Sequence, residues 1–376
     1  MAPVRADDGG SSSGAHDPAH FGAGPVSFSV HAADAAVRAT VDAAFADLVE
    51  PSASPDHRFV LEQSRSGCFL QVDDEPRVLF ANRSGALKEL IRLVNRLALD
   101  AEPDRLHLHA AAVGPADAGA ILLVAPSGVG KSTLAAALAL QGCWYLTDEM
   151  VSIDRSGNDL RGFPKPLSIR SGTVELLPGL RERCVALSTQ RSLVPASSIA
   201  SGIRRHAQPR AVVVLERADT PDEVRITELD IADAIVELTR QTMDFERFGS
   251  GGLEALARLC ASAHCLRVAA TDPVSTARAL LDHLADAPQR SRPIIEIVAP
   301  RGLCQEGDGV ALDPDLTWLR VDGTLMVLVA ATQSVVALDP GVARWCSALL
   351  LGEVAPPLEE DVVSALAQIG ILEGSS

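Results

Sequence analysis

The chain has 376 residues, of which 47% are hydrophobic, and it carries a formal net charge of -16 at pH 7. This length predicts two or three domains rather than one compact unit. The negative charge, with no Lys/Arg cluster standing out against it, argues against nucleic acid as a partner, and no apolar stretch is long and uncharged enough to span a membrane.

Seven cysteines are scattered along the chain without the spacing of a disulfide framework, which predicts reduced thiols and a cytoplasmic protein. The segment CASAHC brings together Cys260, His264 and Cys265, three side chains that can bind a metal. Their spacing suits one face of a helix, and the sequence has no second pair of ligands nearby. We therefore expect a helix here and no metal site.

The first hundred residues predict a leader followed by a small α+β region. Residues 1–25 are rich in Gly, Ser, Pro and acidic residues and lack an apolar core, so we expect a flexible leader and not a secretory signal. Residues 26–100 predict a strand at VSFSV, a helix at AAVRATVDAAFADLV and a pair of hairpin-like strands. The amphipathic helix SGALKELIRLVNRLALD follows, with Ser84 as its expected N-cap.

Residues 101–287 have the strand and helix alternation of an α/β nucleotide-binding domain. The region begins with a strand RLHLHAAAV, a strand AILLVA, a glycine-rich loop, a helix KSTLAAALALQG and a strand CWYLTDEMVSID. Strands are predicted at AVVVLE and LRVAAT, and helices at ELDIADAIVELTRQTM, GGLEALARLCASA and VSTARALLDHLAD.

A different pattern begins after residues 287–293, APQRSRP, which are predicted to be a linker. Residues 294–376 contain three short strands, broken by Asp-Gly and by a polar turn, and then two helices, PGVARWCSALLLG and LEEDVVSALAQIG. We expect a separate small domain.

The segment APSGVGKST, directly after AILLVA, is typical of a phosphate-binding loop. It meets the pattern G-x-x-x-x-G-K-[ST] from Gly130 onward, with Ala125 in place of the first glycine. Backbone N–H groups would close around the phosphates of ATP, Lys131 would reach the β and γ oxygens, and Ser132 would bind Mg²⁺. Only three of the 33 basic residues are lysines, so a lysine at this position favours a phosphate loop over an accidental turn. The predicted ATP-binding residues are Ser127, Gly128, Val129, Gly130, Lys131, Ser132 and Thr133.

Two acidic residues follow the loop at a distance that favours a kinase. Asp148 and Glu149 come 17 and 18 residues after Lys131, at the end of the next predicted strand, whereas motor and transporter ATPases usually carry their magnesium-associated acid further along. In a kinase, one carboxylate accepts the proton of the attacking hydroxyl and the other helps to hold Mg²⁺. The alternative, that Asp148 caps the next segment and Glu149 is solvated, stays open at this point.

Two stretches of the sequence resemble the catalytic core of HPr serine kinase/phosphorylase. They are LHAAAV and ILLVAPSGVGKSTLAAALALQGCWYLTDEMVSID. That family shares its nucleotide core with phosphoenolpyruvate carboxykinase and transfers the γ-phosphate of ATP to a protein serine. The resemblance implies that Asp148 is the general base and that His109 supports the transferred phosphate. The chain departs from the family pattern at Ala110, where the family has Gly, and at Glu149, where it has a second Asp, and it has no counterpart of the C-terminal G-R-N signature.

The wider pattern over residues 105–285 resembles the HPr-kinase-related proteins encoded with peptide-modification systems, lasso-peptide kinases among them. Within it, Lys165 and Arg170 in PKPLSIR are candidates to bind phosphate or the acceptor, because fixed cations stabilise the charge on a transferring phosphoryl group. Each is equally compatible with an ordinary surface charge.

The C-terminal region resembles the peptide-chaperone fold of pyrroloquinoline-quinone biosynthesis, a winged-helix-like arrangement of three strands plus helices that we call PqqD-like. In that family a leader peptide adds a strand to the edge of the sheet and packs beside a helix. We expect Trp345, Leu349 and Leu350 to belong to the core of this domain rather than to contact a ligand.

The sequence thus predicts an ATP- and Mg²⁺-dependent kinase that phosphorylates Ser or Thr of a ribosomally made peptide or small protein, presented by the C-terminal domain. One alternative is a compact small-molecule kinase of the shikimate or gluconate type. Another is a peptide-delivery adaptor whose nucleotide site is regulatory and does not turn over. The identity of the acceptor and the oligomeric state are left open.

Overall fold

The computed structural model describes residues 18–49, 54–188, 190–218, 224–243, 245–270, 272–285, 287, 294–298, 312–313, 315–329, 332, 334–353 and 355–372. The chain divides into two compact units, Met1–Ala101 and Glu102–Ser376. Residues 1–17 of the predicted leader and residues 288–293 of the predicted linker lie outside the described residues. The leader prediction is wrong for the residues that follow, because Ala19–Ala23 form a strand whose Phe21 is buried.

The first unit is an α+β fold, as its apolar patterning indicates. Its elements are β1 (Ala19–Ala23), β2 (Val26–Ala32), α1 (Ala35–Ala44), β3 (His57–Ser64), β4 (Gly67–Val72), β5 (Val78–Phe80) and α2 (Arg83–Asp100). The strands form one sheet in the order β1-β2-β3-β4-β5. The N-cap of helix α2 lies two residues earlier than predicted, because the side chain of Asn82, and not that of Ser84, accepts the N–H of Gly85.

The second unit begins with the predicted nucleotide-binding region. Its elements are β6 (Leu106–Leu108), β7 (Ala110–Gly114), β8 (Ala120–Val124), α3 (Lys131–Leu140), β9 (Trp144–Thr147), β10 (Val151–Ile153), β11 (Leu160–Arg161), β12 (Leu167–Arg170), α4 (Ser171–Leu176), β13 (Val185–Ala186), β14 (Arg191–Val194), β15 (His206–Ala207), β16 (Pro209–Arg217), β17 (Arg225–Glu228), α5 (Ile231–Gln241), β18 (Thr242–Met243), α6 (Gly249–Ser262), β19 (His264–Ala270) and α7 (Pro273–Ala285).

A mixed sheet in the order β17-β19-β16-β8-β7-β9 forms the centre of this unit. Strand β8 is parallel to β16, and β16 is parallel to β19. Alternate residues of β8 pack into two different cores: Leu122 and Val124 contact the core that includes α5 and α6, whereas Ile121 and Leu123 contact the core that includes α3 and α7. Burial on both faces explains why this strand is a continuous apolar run in the sequence.

Two strands that the sequence predicts as continuous are each broken in the structure. RLHLHAAAV divides at His109 into β6 and β7, and CWYLTDEMVSID divides at residues 148–150 into β9 and β10. After each break the chain changes sheets, because β6 and β10 belong to a second, antiparallel sheet in the order β15-β11-β10-β6-β18. Strand β7 pairs with β9 in the first sheet, and β6 pairs with β10 in the second. His109 and Asp148 therefore both lie where the chain crosses between the two sheets.

The C-terminal region adds β20 (Ile295–Val298), β21 (Thr317–Val321), β22 (Thr324–Val329), β23 (Ser334–Ala337), α8 (Pro340–Leu351) and α9 (Glu360–Gln368). The strands form an antiparallel sheet in the order β20-β21-β22-β23, so the predicted three strands are joined by a fourth. One face of this sheet, with Leu319 and Met326, packs into the core of α5 and α6, and the other face, with Trp318 and Val327, packs against α8.

The predicted core positions of the C-terminal region are confirmed for Trp345 and Leu350, which are buried, and Leu349 is partly buried against the same core. The described part of the chain contains no helix that is long and apolar enough to cross a membrane.

Candidate functional site

The predicted phosphate loop joins the end of β8 to the start of α3. Gly128 and Gly130 have φ angles of 90° and 132°, a backbone conformation that strains any residue with a Cβ atom. Ser127 and Gly128 are exposed, and Val129, Gly130, Ser132 and Thr133 are half-buried. The glycines thus shape an accessible loop at the N-terminus of a helix, where backbone N–H groups attract anions.

Lys131 lies in the first turn of α3 and is buried. Its ammonium donates to the carbonyl oxygen of Ala125, so the side chain folds back along the loop. Burial lowers the pKa of Lys131, and the nearby carboxylates of Asp148 and Glu149 offset part of that effect. The only cation of the loop is therefore electrostatically coupled to the two acidic residues at the end of β9.

Asp148 is held in a buried polar pocket. The Lys165 ammonium lies 2.7 Å from Asp148 Oδ1, the Tyr145 hydroxyl donates to the same oxygen at 3.3 Å, and the backbone N–H of Ser168 reaches Oδ2 at 3.4 Å. Only 4% of Asp148 and 2% of Lys165 is exposed. A buried carboxylate needs such partners, because transfer of an isolated charge out of water is costly.

Glu149 sits at the rim of this pocket. Its carboxylate is 2.9 Å from the Lys165 ammonium, and 40% of its side chain is exposed. Burial by itself lowers the pKa of Lys165, but the attraction of Asp148 and Glu149 outweighs it and raises that pKa above its ordinary value. Lys165 is thus a charged ammonium shared by two carboxylates, and the alternative that it is an ordinary surface charge is wrong.

His109 faces the same cluster from the break between β6 and β7. Its backbone N–H donates to the carbonyl oxygen of Gln241, at the end of α5, at 2.8 Å. Burial lowers the pKa of the imidazole, and the ammonium of Lys131 lowers it further, against the opposing effect of Glu149 and Asp148. His109 is therefore a neutral imidazole at pH 7.

Arg170 is exposed at the end of β12 and lies close to the phosphate loop. A Cβ atom placed on Gly128 would be 3.6 Å from Arg170 Nη2. The loop and this strand are also joined through α4, because the hydroxyls of Thr133 and Thr173 are hydrogen-bonded at 3.1 Å. Strand β12 thus supplies both Ser168, beside Asp148, and Arg170, beside the loop.

The structure places the predicted catalytic residues His109, Lys131 and Asp148 in one electrostatically coupled cluster with Glu149 and Lys165. Tyr145 and Ser168, which orient Asp148, were not predicted. Tyr145 carries a signal that sequence reasoning could have used. It is the only tyrosine of the chain and precedes Asp148 by three residues on an apolar strand, where a buried hydroxyl needs a partner.

Within the described residues, no group of three or more His, Cys, Asp or Glu side chains is arranged to hold a metal ion. Cys260 and Cys265 are buried, and the thiol of Cys265 points at the carbonyl oxygen of Cys260, 3.7 Å away. The described cysteines are free thiols.

Comparison with known proteins gives little that bears on function. No protein-family model and no curated protein matches the chain. Among solved structures, the chain is similar to the Hpr(Ser) kinase/phosphatase from Coxiella burnetii, with 13% sequence identity and a TM-score of 0.26. The match covers 47% of this chain and 95% of that one. At this TM-score the similarity carries no argument, so what the site can do rests on its own geometry.

The residues present fit a nucleotide with a divalent cation. The positive-φ glycines form a cradle that a Cβ atom would strain, the Ser132 hydroxyl stands at the helix start, and Glu149 offers a half-exposed carboxylate. Oxygen ligands of this kind suit Mg²⁺, which usually binds one or two carboxylate or hydroxyl groups together with substrate phosphates.

Proposed function

We propose that the protein is an ATP-dependent kinase that transfers the γ-phosphate to a Ser or Thr hydroxyl of a peptide or small protein, in a ribosomal-peptide modification system. One observation carries this proposal: the buried carboxylate of Asp148, fixed by Lys165, is electrostatically coupled to Lys131 of the phosphate loop and to His109. Transfer of a phosphoryl group to a hydroxyl requires a base close to the group that binds the donor phosphates.

In this proposal the residues of the cluster have separate roles. The loop and Lys131 bind the phosphates of ATP, and Asp148 accepts the proton of the acceptor hydroxyl as its oxygen forms a bond to the γ-phosphorus and the bond to the ADP oxygen breaks. Lys165 holds the carboxylate of Asp148 in place. His109, neutral and beside Lys131, donates a hydrogen bond to the transferred phosphoryl group.

Magnesium, held by Ser132 and Glu149, would neutralise charge on the donor phosphates. Arg170 would place a fixed cation beside Gly128, where the acceptor approaches the loop.

The C-terminal region has a surface that suits a peptide. A groove of about 430 Å³ lies between β23 and helices α8 and α9, and apolar side chains such as Val336, Val342, Val362 and Ile369 line it. In the described sheet β23 is the last strand and pairs with β22 alone. A peptide that adds a strand beside β23 would place its apolar side chains in this groove. We propose that this region presents the acceptor peptide to the kinase site.

The test is incubation of the full chain with Mg²⁺-ATP and each peptide encoded by a neighbouring gene, followed by intact-mass measurement. We expect phosphate gain on one such peptide, loss of that gain in Lys131→Ala, and no change in Lys88→Ala, which removes an exposed lysine of α2. ATP binding without phosphate gain on any peptide would favour the adaptor. Phosphate gain on a polyol in place of a peptide would favour the small-molecule kinase.

A further inference from the structure

Two arginines face each other beside the phosphate loop. Arg170 on β12 and Arg191 on β14 are direct partners in the antiparallel register. Such partners have Cβ atoms about 5 Å apart on the same side of the sheet. Arg191 Nη1 also donates to Ser168 Oγ at 3.2 Å, which places the guanidinium on the side of Ser168 and Arg170. We call Arg170 and Arg191 the arginine pair.

The charges of the arginine pair are not neutralised within the described residues, where neither guanidinium forms an ion pair with Asp or Glu. Two other arginines of the same region have partners: Arg161 contacts Glu102 and Asp159, and Arg204 stacks over Trp144. Like charges placed directly opposite each other destabilise a sheet. Each guanidinium can donate two parallel hydrogen bonds to a carboxylate or phosphate, so two adjacent guanidinium groups without a carboxylate partner favour the binding of an anion.

The position of the pair relates it to both halves of the proposed reaction. Arg170 lies over Gly128 of the phosphate loop. Arg191 is linked to the proposed general base through Ser168, whose hydroxyl accepts from Arg191 and whose backbone N–H donates to Asp148. An anion held by both arginines would therefore lie beside the phosphate loop and next to Ser168, the residue that donates to Asp148.

The distribution of charge indicates which anion this is. The chain has a net charge of -16, yet residues 160–210 contain eight arginines and one lysine against two acidic residues. An acidic polypeptide would be repelled by most of the surface and attracted by this region. Charge complementarity thus favours a carboxylate of the acceptor.

We propose that the arginine pair binds an Asp or Glu side chain of the acceptor, next to the hydroxyl that receives the phosphate. This inference rests on the proposed kinase function and deepens it, because it makes the substrate a Ser or Thr with an acidic neighbour. Arg191 is then a specificity-determining residue, separate from the groups that perform the transfer.

The test measures peptide binding and nucleotide binding separately on the full chain. The probes are fluorescent octapeptides with one central Ser, flanked by Glu in one peptide and by Gln in its match, and a fluorescent ATP analogue. We expect the Glu peptide to bind about tenfold more tightly than the Gln peptide, and this preference to weaken as salt rises. Arg191→Gln should abolish the preference, Arg191→Lys should restore only part of it, and the affinity for the ATP analogue should change less than about twofold.

Two further variants serve as controls. Arg181→Gln removes an exposed arginine of the same basic region and should retain the preference for the Glu peptide. Lys131→Ala should no longer bind the ATP analogue but should also retain that preference. An equal loss of preference for the Glu peptide in Arg181→Gln would overturn the proposal, because the preference would then depend on the total positive charge of the region and not on the arginine pair. Loss of the ATP analogue in Arg191→Gln, with the peptides unaffected, would overturn it by placing the pair in the nucleotide site.

Phosphate transfer measured on the same peptides distinguishes this inference from the function on which it rests. Transfer to both peptides without preference would refute the proposed role of the arginine pair and leave the proposed kinase function standing. Selective binding of the Glu peptide without transfer to any peptide would refute the kinase and support the pair as an anion site.

Discussion

The Lys165 ammonium lies 2.7 Å from Asp148 Oδ1, and both side chains are almost fully buried. The two residues come from different segments, the break after β9 and the loop before β12. Each charge can be buried only because the other is present. An unpaired charge at either position would be strongly unfavourable, whereas the pair is stable and fixes the direction of the carboxylate. This contact sets the geometry of the proposed base.

Lys165→Met should destabilise the protein by about 3–5 kcal/mol, the cost typical of removing one partner of a buried ion pair. Denaturation of the wild type and of the variant measures the difference. Lys88→Met, at an exposed lysine, should cost less than about 0.5 kcal/mol. The double variant Asp148→Asn/Lys165→Met should recover part of the loss. Equal effects of the two lysine substitutions would mean that the ion pair contributes nothing.

Gly130→Ala should destabilise the phosphate loop, because φ at this position is 132°. A Cβ atom there would meet no other atom within 4 Å, so the cost is conformational alone and about 1–3 kcal/mol. Gly172→Ala is the matched control, since a Cβ atom there also meets nothing within 4 Å and its φ is not positive. Binding of a fluorescent ATP analogue should weaken in the first variant and stay unchanged in the second. The same affinity in both would show that the loop tolerates a side chain at Gly130.

Acidification should destabilise the wild type through His109. Its pKa is lowered from 6.5 by burial and by Lys131, so below pH 6.5 the unfolded chain takes up a proton that the folded chain still resists. The free energy of unfolding therefore falls as the pH drops from 7.5 to 5.5. His109→Asn lacks this contribution, and the wild type should lose more stability than the variant over that interval. A difference between the two that does not change with pH would show that the imidazole is not held neutral.

A charge introduced into the C-terminal groove should weaken binding of the acceptor peptide and leave the rate of phosphate transfer unchanged. For a peptide that gains phosphate, Ile369→Arg should raise KM about tenfold and leave kcat unchanged, because the groove contacts the peptide away from the reacting hydroxyl. Leu351→Arg, at an exposed leucine of α8 that does not line the groove, is the control. If both variants have the kinetic constants of the wild type, the acceptor binds elsewhere.

The sequence predicts the parts of the site that follow each other along the chain. A continuous apolar run, glycines at a fixed spacing and a helix-forming segment define β8, the phosphate loop and α3, because local rules determine all three. Position in the chain also identifies Asp148 and His109. The breaks that bring these two together were missed, since an apolar run looks the same whether it stays in one sheet or crosses to another.

Contacts between distant segments lie beyond such rules. The burial of Lys165 depends on the approach of the loop before β12 to Asp148, and the facing of Arg170 and Arg191 depends on the register of β12 against β14. The overall charge was also misleading. Against a net charge of -16 no Lys/Arg cluster stood out, whereas residues 160–210 contain nine basic residues and two acidic ones.

The most direct test of the central claim compares nucleotide binding and phosphate transfer in Asp148→Asn, with Asp117→Asn, at an exposed aspartate, as the control. We predict that Asp148→Asn binds a fluorescent ATP analogue within about threefold of the wild type, yet transfers phosphate to its peptide at least about a hundredfold more slowly, as expected for loss of a general base. Transfer at the wild-type rate by Asp148→Asn would contradict the account.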